Sequence, residues 1–80
     1  MTTRAVDARG LRCPLPVMRA AQAAEELQSG DELVLTATDP LTVSDVREWA
    51  AASGGRLALV SQVVRVVGDE RLFVHTLNIR

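Results

Sequence analysis

The chain has 80 residues, 48% of them apolar and 24% charged, with a formal net charge of −1. This length predicts one small domain over residues 1–80, and the near-zero charge provides no basic field to attract nucleic acid. One Cys and one His exclude an intramolecular disulfide and argue against a structural metal site, so we expect no cofactor.

The N-terminal stretch "MTTRAVDARG" has no apolar run after its arginine, so it does not resemble a signal peptide. No segment approaches the roughly 20 apolar residues that span a bilayer. We therefore expect no membrane association and a cytoplasmic protein, in which a free thiol stays reduced.

The first half of the chain predicts a strand, a helix and a second strand. Residues 4–8, "RAVDA", form the short strand, and residues 31–38, "DELVLTAT", alternate as a second one. Residues 14–28 predict the helix, with Gly30 just past its end. Its apolar face recurs at spacings of three and four, at Val17, Ala20, Ala21, Ala24 and Leu27.

The second half predicts a helix and a hairpin. The helix begins at about Thr42, where Thr42 and Asp45 resemble a capping box, and Gly54-Gly55 ends it. Residues 56–80 are rich in β-branched side chains and form two strands joined by a turn at residues 68–71. Ser61-Gln62 interrupts the alternation, which indicates a bulge.

The order βαβαββ predicts an α+β two-layer sandwich: a mixed four-stranded sheet with both helices packed on one face. The first two strands should be parallel and the last two antiparallel. We expect Trp49 to anchor the second helix in the core, and His75 to be a surface or packed strand residue without a role as base or ligand. No element is left to cover the second face of the sheet.

Cys13 lies at the junction between the first strand and the first helix, in "GLRCPLP". With Cys13 at the N-cap, Pro14 is the first helical residue and Pro16 the third, where neither missing N–H is needed. The positive helix end, with Arg9 and Arg12 nearby, should lower the thiol pKa. Position alone leaves two readings open, an inert packed cysteine and a reactive thiol.

The surrounding residues resemble the TusA-like (SirA-like) sulfur-carrier family. The family pattern is Cys-Pro-x-Pro after a short strand ending in Asp-x-x-Gly-Leu, and it is matched across "DARGLRCPLPVMRA". The similarity continues through Gly30-Asp31 and "TATDP" to Asp45, Val46 and Trp49. The matching motif residues are Asp7, Gly10, Leu11, Cys13, Pro14 and Pro16.

This resemblance implies a sulfurtransferase-type carrier that holds sulfur as a persulfide on Cys13, supported by Gly10, Arg12, Pro14 and Pro16. The implied donor is a cysteine desulfurase, a rhodanese or a similar protein. The implied acceptor is a protein of tRNA thiolation, molybdenum-cofactor synthesis or sulfur oxidation. We expect a monomer or weak dimer that does not bind nucleic acid directly.

Three departures from the family pattern bear on this reading. Leu15 stands between the prolines where many carriers of the tRNA pathway have an acidic residue, so the pathway stays open. Arg47 and Ala50 replace a proline and a cysteine found in the second helix of relatives.

One alternative to the carrier role is a regulatory or RNA- or protein-binding module in which Cys13 is structural. Another is a thiol redox sensor, which would need a resolving thiol from elsewhere.

Overall fold

Strands and helices follow one another as β1 (Thr3–Ala8), α1 (Leu15–Glu25), β2 (Glu32–Ala37), α2 (Thr42–Ala52), β3 (Leu57–Val67) and β4 (Glu70–Ile79). The computed structural model describes residues 1–80. The four strands form one sheet in the order β1-β2-β4-β3. This α+β architecture confirms the predicted element order and the mixed sheet.

The sheet is parallel at one edge and antiparallel over the rest. β1 pairs with β2 in parallel, with Val6 opposite Leu35. β4 runs antiparallel to β2, with His75 opposite Leu35, and antiparallel to β3, with His75 opposite Gln62. The C-terminal ends of β1 and β2 therefore lie side by side, and each strand leads there through a loop into a helix.

The core lies between the sheet and the two helices. α1 packs on β1 and β2, while α2 packs on β3 and β4. Leu33, Leu35 and Leu77 are fully buried at the centre, and Trp49 is half-buried and packs against this core. The buried apolar residues are Ala8, Ala20, Ala24, Leu27, Leu33, Leu35, Ala37, Val46, Leu57, Leu77 and Ile79.

Helix α1 is shorter than the predicted 14–28. It begins at Leu15 and ends at Glu25, because the following chain turns back toward the sheet. The Asp31 carboxylate accepts hydrogen bonds from the Gln28 N–H (2.8 Å) and the Thr2 N–H (2.9 Å). These bonds hold the turn between α1 and β2, so Gly30 belongs to that turn and not to the helix end.

The β3–β4 hairpin extends past the end of β2. The register shift that the sequence predicts at Ser61-Gln62 lies between Leu59 and Ser61. Beyond it, the hairpin carries exposed valines on strand β3, at Val63, Val64, Val66 and Val67. Each helix has 11 residues, and neither is long and apolar enough to cross a membrane.

Candidate functional site

Two loops meet at the edge of the sheet where the parallel strands end. The loop after β1 carries Cys13, and the loop after β2 carries Thr38 and Asp39. The Gly10 N–H donates to Thr38 Oγ1 (2.9 Å), and the Cys13 N–H donates to Asp39 Oδ2 (2.8 Å). The second loop therefore fixes the backbone of the first on either side of Arg12.

Gly10 provides the turn that leads the chain from β1 toward Cys13. Its φ is +80°, in the left-handed region that a residue with a Cβ adopts only at a cost. An added Cβ would meet no atom within 4 Å, so backbone conformation is the reason for glycine here. The positive φ therefore explains why glycine stands at this position of the loop.

The helix begins one residue later than the sequence indicates. Pro14, not Cys13, is the N-cap of α1, and Pro16 is the second helical residue and is buried. The Pro14 carbonyl accepts the Met18 N–H (3.1 Å), and the Arg12 carbonyl accepts the Leu15 N–H (2.9 Å). The Cys13–Pro14 peptide bond is cis. No side chain caps the helix, so the predicted N-cap role of Cys13 is wrong.

The Cys13 side chain is exposed to solvent, and acidic side chains surround it. The pKa of the thiol is raised above its ordinary value. The main cause is the Asp45 carboxylate of α2, which favours the protonated S–H form over the thiolate. Partial desolvation and the negative charges of Asp45, Asp39 and Glu48 add to it.

The direction of this shift contradicts the lowered thiol pKa that the helix end predicts. With Pro14 at the N-cap, Cys13 lies one residue before the cap position, and the α2 carboxylates face it. The attraction of a helix end for an anion falls off within one turn. Repulsion from Asp45 and Asp39 therefore outweighs it, and the S–H form is favoured.

Arg9 and Arg12, the arginines nearest Cys13 in the sequence, act on different carboxylates. Arg9 forms an ion pair with Asp7 (2.9 Å) and also donates through Nε to the same carboxylate (2.9 Å). This lowers the Asp7 pKa to about 2, with a small contribution from Arg19. The hydrogen bonds from the Cys13 and Leu41 N–H groups lower the pKa of Asp39, and the positive charge of exposed Arg12 adds to this. Arg12 therefore acts on the carboxylate that holds Cys13.

Asp39 and Asp45 are site residues that the sequence interpretation did not identify. Asp39 was assigned to a turn and Asp45 to a capping box, and both were matched to the family pattern, but neither was given a role at the thiol. The capping box is absent: Leu41 is the N-cap of α2, and the Thr42 hydroxyl donates to the Asp39 carbonyl (2.8 Å). The available signal was the spacing of Asp45 and Glu48, which places two carboxylates on one helix face.

Cys13 does not line a pocket. One concavity of about 440 Å³ lies between α1 and α2 beside Trp49 and Arg56, and the other two lie near β1. No group of three or more His, Cys, Asp or Glu side chains is placed to share a metal ion. An exposed thiol without a pocket suits chemistry on a group presented by another macromolecule.

Fold and site together define a small α+β protein that presents a solvent-exposed thiol on a proline-braced loop between a strand and a helix. The chain matches the family described as Sulfurtransferase TusA over residues 4–74. It belongs to this family, which confirms the resemblance carried by the sequence motif.

Individual relatives align with 64–75% of the chain. Sulfur carrier protein TusA of Allochromatium vinosum is 42% identical over 52 residues, covering 65% of this chain and 68% of that protein. YrkI of Bacillus subtilis is 39% identical over 51 residues, covering 64% of this chain and 68% of that protein. A protein of Halobacterium salinarum is 37% identical over 60 residues, covering 75% of this chain and 73% of that protein.

Proposed function

We propose that this protein is a sulfur carrier that accepts sulfane sulfur as a persulfide on Cys13 and passes it to an acceptor protein. The observation that carries the proposal is the exposed Cys13 thiol on a loop held by hydrogen bonds to Thr38 and Asp39. Membership of the TusA family supports it. So does the Allochromatium vinosum relative, which is named a sulfur carrier protein.

The chemistry is two successive exchanges at one sulfur atom. The Cys13 thiolate attacks the outer sulfur of a donor persulfide, which forms the Cys13 persulfide and releases the donor thiolate. An acceptor thiolate then attacks the outer sulfur of the Cys13 persulfide, and Cys13 leaves as a thiolate. Each step breaks one S–S bond and forms another, so no external oxidant or reductant is consumed.

Because acidic side chains raise the pKa of the thiol, we propose that the donor protein promotes its deprotonation. The raised pKa keeps Cys13 largely as S–H in the free protein, and only the thiolate attacks sulfur. A donor that brings a positive charge beside Asp45 would offset the repulsion and generate the thiolate at the moment of contact. On this proposal the Cys13 thiol reacts slowly in the free protein and rapidly in the complex with its donor.

Apolar side chains next to the thiol suit transient docking. Leu15 and Met18 lie three residues apart on α1, and their exposures are 47% and 53%. An exposed apolar pair beside a reactive group favours contact with another protein surface. The donor on this proposal is a cysteine desulfurase, a rhodanese or a similar protein, and the relay operates in the cytoplasm, where a free thiol stays reduced.

The alternatives have weaker support. A purely structural Cys13 does not agree with its exposure, because packed cysteines are buried. An RNA-binding module lacks the basic surface that this requires, since the net charge is −1. A redox sensor would have to recruit its resolving thiol, because the chain has one cysteine.

The test is loading by a persulfidated cysteine desulfurase or by a rhodanese supplied with thiosulfate. Intact mass should rise by one sulfur atom per chain, and reductant should remove it. Cys13→Ser should gain none, whereas Val66→Ala, which keeps the thiol and changes an exposed side chain of β3, should still load. Equal labelling of Cys13→Ser, or an unlabelled native chain with both donors, would overturn the proposal.

A further inference from the structure

A continuous set of hydrogen bonds runs from the exposed side of α2 through the protein interior. Arg47 Nε donates to Gln62 Oε1 (2.8 Å). The Gln62 amide nitrogen donates to the Val43 carbonyl (2.9 Å) and lies 3.1 Å from His75 Nδ1. His75 Nε2 in turn lies 3.0 Å from Thr42 Oγ1. These contacts join α2, β3 and β4.

The partners determine the direction of each bond. Because Gln62 presents its oxygen to Arg47, its NH₂ group is the donor toward His75, and Nδ1 accepts. The neutral ring therefore carries its proton on Nε2 and donates to Thr42. The Thr42 hydroxyl donates onward to the Asp39 carbonyl (2.8 Å).

At its far end this set of bonds reaches the backbone of the thiol loop. Asp39 accepts from Thr42 through its carbonyl, while its carboxylate accepts the Cys13 N–H (2.8 Å) and the Leu41 N–H (3.0 Å). Both carboxylate oxygens of Asp39 therefore accept a backbone N–H, and its main-chain carbonyl accepts the Thr42 N–H (3.1 Å) as well as the Thr42 hydroxyl. Asp39 is the only side chain that hydrogen-bonds to the Cys13 backbone.

Because His75 and Thr42 are buried, the loss of any hydrogen bond between them would leave a polar group without a partner and would destabilise the fold. His75 and Thr42 are fully buried, and they are the buried polar residues of the chain. Every buried side-chain nitrogen and oxygen has a partner. An apolar side chain at position 75 would fill the same space without these bonds, and buried polar groups persist where they specify one arrangement.

We propose that His75 is a positioning residue for Cys13, acting through Thr42 and Asp39. His75 does not touch the sulfur. It fixes the Thr42 hydroxyl, which fixes the loop that holds the Cys13 amide. The geometric part of this proposal stands by itself, and its consequence for sulfur transfer rests on the function proposed above.

The experiment compares the full chain with three variants by NMR of ¹⁵N-labelled, reduced protein. His75→Leu removes both ring nitrogens and fills their place with an apolar side chain of similar size. His75→Gln keeps an N–H donor near the position of Nε2. The matched control is Leu77→Val, a core change two residues along the same strand and the same face.

In His75→Leu the Cys13 amide proton should move upfield as its bond to Asp39 loosens, and its exchange with water should accelerate roughly tenfold, the worth of one charge-assisted hydrogen bond. His75→Gln should return both values toward those of the native chain, and Leu77→Val should leave them unchanged. A folded His75→Leu with an unaltered Cys13 amide overturns the proposal.

A fourth variant, Thr42→Val, serves for the case in which His75→Leu does not fold. It preserves side-chain shape and removes the same link, so the Cys13 amide should respond as described; an unchanged amide again overturns the proposal. In sulfur loading by the donor protein, His75→Leu should lower the maximal rate of loading. It should leave unchanged the concentration of donor that gives half of this rate, because the docking surface is intact. If the native chain takes up no sulfur, the proposed function fails, while the amide measurement still decides the role of His75.

Discussion

At the scale of single residues, the environment of Cys13 depends on side chains that are remote in sequence. Asp39 and Asp45 approach the thiol only because the loops after β1 and β2 end at the same edge of the sheet. The motif residues could be predicted from the sequence, since Gly10, Pro14 and Pro16 are local features. The sign of the thiol pKa shift could not, because it is set by charges from the other helix.

Neutralising Asp45 should make the thiol more reactive. Asp45→Asn replaces the carboxylate that most favours the S–H form with a neutral amide, so the Cys13 pKa should fall toward its ordinary value. One pKa unit would raise the rate of alkylation by iodoacetamide at neutral pH up to about tenfold, because the rate follows the thiolate fraction. The pH dependence of the alkylation rate measures this shift directly.

The matched control is Glu25→Gln, which removes an exposed carboxylate from α1 that does not act on the thiol. Its alkylation profile should coincide with that of the native chain. A profile for Asp45→Asn that is unchanged, or displaced to higher pH, would show that Asp45 does not raise the thiol pKa.

At the scale of elements, the fold agrees with the sequence pattern where the pattern is local. Alternation identified β2, three-and-four spacing identified α1, and the Gly68-Asp69 turn identified the hairpin. The helix ends differed because side chains from other elements compete for the same backbone groups. Asp31 ends the turn after α1, and the Thr42 hydroxyl bonds to Asp39 and His75 in place of a cap.

The packing of α2 on β4 through His75 predicts a pH-dependent stability. Burial lowers the pKa of His75 below 6.5, so the folded chain holds this side chain neutral while the unfolded chain protonates it. The unfolded state then binds more protons, and stability falls as pH drops below about 6.5, down to the lowered folded-state pKa. Above about 6.5 the contribution is fully present.

Urea unfolding at a series of pH values between 7.5 and 5 measures this, with a slope of at most about 1.4 kcal/mol per pH unit for one proton. His75→Leu should be flatter over this range, because the chain has one histidine. Identical slopes for the two proteins would refute the assignment of the pH dependence to His75.

At the scale of the whole molecule, the residues that stabilise the fold are concentrated in one part of the structure. The apolar core is concentrated where the helices cover β2 and β4, and the outer half of the hairpin carries exposed valines. A small domain has a modest stability, of roughly 5–10 kcal/mol. Single core residues therefore account for a large fraction of it.

Two truncations should separate these regions. Leu35→Ala removes a fully buried side chain and should cost about 2–5 kcal/mol, enough to populate the unfolded state. Val66→Ala truncates a side chain that is 68% exposed and should change stability by about 0.5 kcal/mol or less. Thermal and urea unfolding check both, and a large loss in Val66→Ala would mean that another surface covers the hairpin.

The account as a whole depends on whether Cys13 holds a sulfur atom that it can give away. The direct measurement loads the chain from a ³⁴S-labelled donor persulfide, locates the label by tandem mass spectrometry, and then adds cyanide, which accepts sulfane sulfur. We predict one labelled sulfur on Cys13, its release as one labelled thiocyanate per chain, and recovery of the free thiol. Label on another residue, or an added group on Cys13 that resists cyanide, would contradict the carrier role.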